Sequence, residues 1–154
     1  MADNAFLTEL LGIDKLRVTG SEIEGAEQIT LSVESIEEVA SCPECGQLSL
    51  TVHGLSEEQI IRDLPIGERR SYLSYRARRY RCSSCGKTFV ERVAWKRAET
   101  SYTLRYEKHI YERARKEPVS QIAEDEGLSE EAVQAIFEQK AKKRLRHGGT
   151  RKSK

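Results

Sequence analysis

No run of apolar residues in this 154-residue chain approaches the 18 or more that cross a bilayer, and the opening Met1-Ala2-Asp3-Asn4 lacks the basic start of a signal peptide. The expectation is a cytoplasmic protein in a reducing compartment with no membrane partner. Aromatic residues are scarce at 6%, and hydrophobic residues reach only 38% against 33% charged, which argues against one large core and for small modules. There is no glycine-rich phosphate loop, and the glutamates are scattered without the paired arrangement that general acid/base chemistry needs. No catalytic residue and no small-molecule substrate are therefore assigned, and the chain reads as a non-enzyme.

What is present begins with four cysteines, all of them in two hooks, Cys42-Pro43-Glu44-Cys45-Gly46 and Cys82-Ser83-Ser84-Cys85-Gly86-Lys87. Two Cys-x-x-Cys turns set four thiolates at the corners of a tetrahedron, so Cys42, Cys45, Cys82 and Cys85 are the expected ligands of one Zn2+. The glycine closing each hook tolerates the positive φ that turns backbone N–H groups toward the sulfurs. Disulfides and a redox dithiol are the alternatives, the first disfavoured by a reducing compartment and the second by the lack of a βαβ setting. His53 lies close in sequence, but four thiolates fill a tetrahedral site, so packing or hydrogen bonding is expected of it. The long gap between the hooks must hold folded structure.

A net charge of +1 conceals blocks of one sign. Residues 1–68 carry 14 acids and 3 bases, residues 69–97 carry 10 bases and the single acid Glu91, and residues 140–154 carry 8 bases and no acid. Two separate basic blocks favour a nucleic-acid partner over a merely solvated face.

Along the chain, residues 5–11 read as a short amphipathic helix with Phe6, Leu7, Leu10 and Leu11 as its stripe and Gly12 as its stop. Alternation at 16–19 and 28–33, around a turn-rich connector at 20–26, reads as a β-hairpin. A strand at 48–52 leaves the first hook. The longest strand candidate spans Ser71 to Arg81, with Leu73, Tyr75 and Ala77 on one side and Tyr72, Arg76, Arg78 and Tyr80 on the other. That second side suits phosphates, or else is an edge protected by charge. A strand at 88–93 closes the ribbon.

From Ser101 the period changes from 2 to 3.6. One helix, with Leu104 or Tyr106, Ile110, Tyr111 and Ala114 inward and His109 at the surface, precedes a second opened by Pro118. The stretch 119–136 then has a helix-turn-helix pattern: Ala123 is small at a close crossing, Gly127 turns the chain, Leu128 enters the core, Ser129 caps the next helix, and Val133 and Ile136 pack on Ile122. Ser129 and Gln134 stand where a recognition helix meets bases, although Glu130 and Glu131 beside them repel phosphates. Lys140, Lys142, Lys143, Arg144 and Arg146 supply counterion-releasing charge ahead of a His147-Gly148-Gly149 stop. The expected fold is α+β: a zinc ribbon extended by an N-terminal β-hairpin, followed by a helix-turn-helix three-helix unit. The expected segments are 1–40 (helix and hairpin), 41–97 (ribbon), 101–147 (helix-turn-helix) and 148–154 (disordered basic tail).

Taken together, Leu10-Leu11-Gly12-Ile13, Cys42-Pro43-x-Cys45-Gly46, Val52-His53, Asp63-Leu64-Pro65-x-Gly67 and Arg78-Arg79-Tyr80-Arg81-Cys82-x-x-Cys85-Gly86-Lys87-Thr88-Phe89 resemble the N-terminal region of ISL-three-type insertion-sequence transposases. The resemblance implies a region that recognises the ends of a mobile element, with the four cysteines on zinc and residues 103–146 as DNA-binding helices. It also implies a larger catalytic domain of three carboxylates and magnesium, for which 154 residues leave no room, so transposition by this chain alone is not expected.

The expected function is thus zinc-dependent binding of double-stranded DNA, with Arg76, Arg78, Arg79, Arg81, Ser129, Gln134, Lys140, Lys142, Lys143, Arg144 and Arg146 as the contacts. A second copy of the chain or a separate catalytic subunit would be the protein partner. The alternative is a protein-interaction adaptor built on the ribbon and a helix-turn-helix that does not read DNA; a dithiol oxidoreductase is a distant third.

Overall fold

A computed structural model describes residues 3–37, 39–49 and 52–152, without the side chains of 49 and 144–152. The chain divides after Thr103 into two units. The class is α+β.

The first unit opens with α1 (Asn4–Leu11), capped by the Asp3 carboxylate on the Ala5 N–H (3.0 Å) and closed by Gly12 at φ 66°. Eight residues offer one narrow face, so Leu11 is buried and Leu7 packs beside it, while Phe6 and Leu10 of the expected stripe stay exposed. The hairpin of β1 (Leu16–Glu24) and β2 (Gln28–Ser35) is longer than its alternation suggested, because a bulge between Val18 and Gly20 carries pairing through the supposed connector to a tight turn at 25–27. Helix α1 blunts the outer edge of β1: the Thr8 hydroxyl accepts from the Val18 N–H (2.9 Å), and the Asn4 amide donates to the Thr19 carbonyl (3.1 Å).

Next come β3 (Ala40–Ser41) and β4 (Leu48–Ser49) flanking the first hook, then β5 (Val52–Leu55), β6 (Gln59–Ile66), β7 (Arg69–Tyr75), β8 (Arg78–Arg81) and β9 (Thr88–Val90). Part of the strand expected at 48–52 falls on residues 50 and 51, outside the described set. Three sheets result: β1-β2-β7-β6, β3-β4 and β5-β8-β9. In the first, β2 and β7 run parallel, pairing Ile29 with Ser71 and Leu31 with Leu73.

That parallel pairing corrects two expectations. The N-terminal hairpin is not a segment apart from residues 41–97, since it shares a sheet with β6 and β7, which fill the long gap between the hooks. The strand expected over Ser71 to Arg81 is two strands in two sheets, broken at Arg76-Ala77. The break shifts the pleat, so Tyr75, Ala77 and Tyr80 are all buried and Tyr80 leaves the basic face on which alternation had set it. The core comprises Leu11, Leu16, Val18, Ile29, Leu31, Val33, Ile61, Leu73, Tyr75 and Ala77, with Trp95 edge-on to Tyr75 at 5.0 Å. On the far edge, residues 101–103 pair with β6 through Arg62 N–H to Ser101 O (2.8 Å) and Thr103 N–H to Arg62 O (2.9 Å), and the Thr103 hydroxyl donates to the buried Asp63 carboxylate (2.8 Å).

The second unit holds α2 (Leu104–Ala114), α3 (Val119–Glu126) and α4 (Glu130–Lys152). Tyr106, Ile110, Ile122, Ala123, Val133 and Ile136 are buried, and Tyr111 stacks on Phe137 at 5.2 Å. Leu104, Tyr111, Ala114 and Leu128 are half-buried. Helix α4 runs through the expected stop at Gly148-Gly149, a pair that lowers helix propensity without blocking the helix sterically.

Candidate metal centre and nucleic-acid interface

Each hook lies between two strands of a hairpin, and the two are built alike. In the first, the Cys42 N–H donates to Gln47 O (2.8 Å) and the Gly46 N–H to Cys42 O (2.8 Å); in the second, Cys82 N–H donates to Lys87 O (2.8 Å) and Gly86 N–H to Cys82 O (2.9 Å). Gly46 and Gly86 share φ 75°, the left-handed turn the sequence required of them. The four sulfurs converge from residues about forty apart and all lie within 4.8 Å of one another. Cys42 Sγ is 3.7 Å from Cys85 Sγ, and Cys45 Sγ is 3.5 Å from Cys82 Sγ. A tetrahedron with metal–sulfur bonds of about 2.3 Å, the zinc–thiolate length, has an edge of about 3.8 Å, so the spacing fits a four-coordinate thiolate centre.

Electrostatics point the same way. Backbone hydrogen bonds from Cys85 and Ser84 hold the Cys82 thiol down to about 6. Cys45 is drawn down by the backbone of Gln47, yet the neighbouring thiols, Cys82 above all, push it up to about 11. Four sulfurs this close cannot all ionise beside one another without a cation, and a divalent ion takes the place of the protons they would otherwise share. His53 is exposed on β5 and is not among the clustered ligands.

The four strand arginines expected to contact DNA have separate roles. Arg76 Nε donates to Ser56 O (2.8 Å). Arg78 donates through Nη1 to Glu37 O (2.5 Å) and through its N–H to the Glu91 carboxylate (2.8 Å), so both brace the passage between sheets. Arg79 and Arg81 are exposed on β8. Arg69, also of the basic block, donates to Gly25 O (3.1 Å) at the end of the four-stranded sheet.

In the helical unit, Gly127 adopts φ 69° and donates to Ala123 O, and the Ser129 hydroxyl accepts from the Ala132 N–H (3.0 Å), capping α4 as the sequence implied. Gln134 is exposed and donates to Glu138 (3.2 Å) one turn on. Glu130 and Glu131 are exposed in the first turn, where the helix dipole favours acids. Lys142 and Lys143 are exposed, Lys140 is half-buried, and the side chains of Arg144 and Arg146 lie outside the described set. Ser129 and Lys140 are thus separated by about 16 Å of helix.

Sequence reasoning missed the clamp that joins α2 to α3. The Arg113 guanidinium donates to Glu117 (2.7 and 2.9 Å), Asp125 (2.7 Å) and Glu126 (3.0 Å), while Glu126 also accepts from the Tyr106 hydroxyl (2.8 Å) and meets His109 Nε2 at 3.1 Å. His109 is therefore half-buried in a network, not a free surface residue. The Arg113-to-Glu117 spacing of four was the available signal; the Asp125-Glu126 partners arrive only through the α2–α3 turn.

With this geometry in view, comparison with known families is decisive. Residues 38–85 match the model of the zinc-finger of transposase IS204/IS1001/IS1096/IS1165, and residues 91–139 match the helix-turn-helix domain of transposase family ISL3. The chain carries the zinc ribbon and helix-turn-helix of the ISL3 transposase family. Comparison with curated proteins and with solved structures gives no match. The ISL3 zinc-finger match begins just before the first hook, spans the inserted β6–β7 hairpin and ends at Cys85, the last ligand, so the insertion belongs to the module. Both matched modules are DNA-binding parts of a transposase and neither is a catalytic domain. Among the described residues no helix is long and apolar enough to cross a membrane.

Proposed function

We propose that the chain binds double-stranded DNA, as the end-recognition region of an ISL3-type transposase does, without catalysing strand transfer itself. One Zn2+ on Cys42, Cys45, Cys82 and Cys85 holds the ribbon. The observation that carries this reading is the helix-turn-helix with its Gly127 turn and Ser129 cap, on residues that match the ISL3 family model. Gln134 is the candidate base contact, and Lys140, Lys142, Lys143, Arg144 and Arg146 neutralise phosphates. A second copy of the chain, or a separate catalytic subunit, completes the recognition of a two-fold site. The test is titration of zinc-loaded protein onto duplex DNA from 50 to 200 mM salt. Affinity is expected to fall steeply, by about 10² or more, and a salt-independent or absent interaction overturns the reading.

Glu130 and Glu131, exposed where a recognition helix would enter the groove, favour a second reading, a protein adaptor that uses this helix end for a basic partner. Replacing both by glutamine separates the two: tighter duplex binding supports DNA contact there, unchanged duplex binding supports the adaptor.

A further inference from the structure

The ribbon sheet β5-β8-β9 has two faces of opposite chemistry. On the inner one, Tyr80 is fully buried and stacks on Phe89 at 5.8 Å, and the Glu91 carboxylate accepts from the Tyr75 hydroxyl (2.7 Å) and the Arg78 N–H (2.8 Å). Pleating therefore sends Arg79 and Arg81 outward, and both are exposed. Register sets Arg79 across from Val90 and Arg81 across from Thr88. The ladder continues one step beyond β9 through the Glu91 N–H to Arg78 O bond (3.0 Å), so exposed Arg92 follows Val90 on the outer side. It lies diagonal to Arg79, a spacing of about 7–8 Å.

The other flank carries a bulge. Val52 pairs with Tyr80 and Leu55 with Arg78, so two residues, His53 and Gly54, oppose the single Arg79. Gly54 at φ 98° permits this, and His53 is exposed beside the arginines. Among the described residues that register brings to this face, none is acidic.

We propose that this outer face, with Arg79, Arg81 and Arg92 at its centre and His53 at its edge, docks on the phosphate backbone of duplex DNA. The inference rests on the DNA-binding reading above and adds a second contact region, on the ribbon. Arginine forks match phosphate oxygens. Arg79 and Arg81 are two strand residues apart, about 6.6–6.8 Å, a spacing of the same order as that between neighbouring phosphates of one DNA strand. A three-stranded sheet is wider than the two-stranded ribbon that fits a major groove, so the contact is with backbone rather than base edges.

The test uses the full zinc-loaded chain with arginines 79, 81 and 92 all changed to glutamine, and duplexes of two unrelated sequences. The slope of log affinity against log salt is expected to become shallower by about 2 to 3, equally on both sequences, with metal content unchanged. Val90→Glu keeps every arginine and puts a negative charge at the centre of the face, and is expected to weaken binding about tenfold or more. An unchanged slope in the triple variant, or unchanged affinity in Val90→Glu, overturns the docking face while duplex binding by the parent chain stands. A parent chain that binds no duplex at any salt overturns the DNA reading, and this inference with it.

Discussion

The two cysteine hairpins and the three-helix unit are held by different forces. Between them, the hairpins at 40–49 and 78–90 bury one large side chain, Tyr80, and two of the four cysteines, whereas the helices bury Tyr106, Ile110, Ile122, Val133 and Ile136. Among the described residues, the first hook's strands share two cross-strand pairs, Ala40 with Ser49 and Ser41 with Leu48. So little apolar burial offsets little of the entropy of ordering such a segment, and a metal ion held by the four thiolates would supply the difference. The four-stranded sheet is the informative third case, because its ten-residue core contains none of the metal ligands.

The largest effect expected is therefore local. Cys82→Ser should abolish metal binding and remove amide protection from residues 40–49 and 78–90. The sheet core around Leu31, Leu73 and Ile61 and the helices from Leu104 should stay protected. Metal analysis with residue-resolved hydrogen exchange reads both at once. Cooperative loss of the whole first unit would break the comparison, since it would make the metal a keystone of the sheet as well.

A smaller effect is expected in the helices, where Arg113 of α2 bonds to Asp125 and Glu126 of α3. Arg113→Gln removes bonds to three carboxylates from a side chain only 19% exposed and should cost about 2 kcal/mol. The same network fixes a pH dependence. The Arg113 guanidinium holds Glu117 and Asp125 below the ordinary carboxylate range; Glu126 is raised by burial but ends lower because Tyr106, His109 and Arg113 all bond to it. A depressed folded-state value stabilises the fold above the ordinary carboxylate range, and that stability is lost as pH falls through the depressed values. The helical unit should thus keep its melting temperature from pH 7 to about 5 and lose it below about 4, with a flatter acid limb in Arg113→Gln.

These contrasts also explain which features were legible beforehand. The hooks, their glycines, the Gly127 turn and the Ser129 cap are local chemistry, set by residues a few positions apart, and each stands in the structure where its sequence signal put it. The parallel β2–β7 pairing joins residues about forty apart and leaves no local trace, so the hairpin read as a separate segment. Alternation from Ser71 to Arg81 was real but concealed a change of sheet, because a break at Arg76-Ala77 moves the phase by one residue without interrupting the run of strand-forming residues. Unbroken alternation sets Arg76 and Arg78 on the basic face, yet their guanidinium groups brace the fold. The exposed pair is Arg79 and Arg81, which that phase sets on the opposite side. The bulge at His53-Gly54 shows only in the register of β5 against β8.

The smallest effect separates two roles that one residue was expected to combine. Ser129 lies at the start of the helix that would face DNA, and its hydroxyl accepts the Ala132 N–H. Ser129→Ala should lower the stability of the helical unit by about 1 kcal/mol through the lost cap alone. Ser129→Asp keeps a cap acceptor and adds charge favourable to the helix dipole, so its stability should equal or exceed that of the parent. Phosphates near this turn would be repelled by the new carboxylate, beside Glu130 and Glu131, and affinity for duplex DNA should then drop although the fold is intact. A Ser129→Asp protein that melts like the parent and binds duplex equally well would mean that the capped end of α4 faces away from the nucleic acid, leaving DNA contact to the basic far end of the helix and to the ribbon.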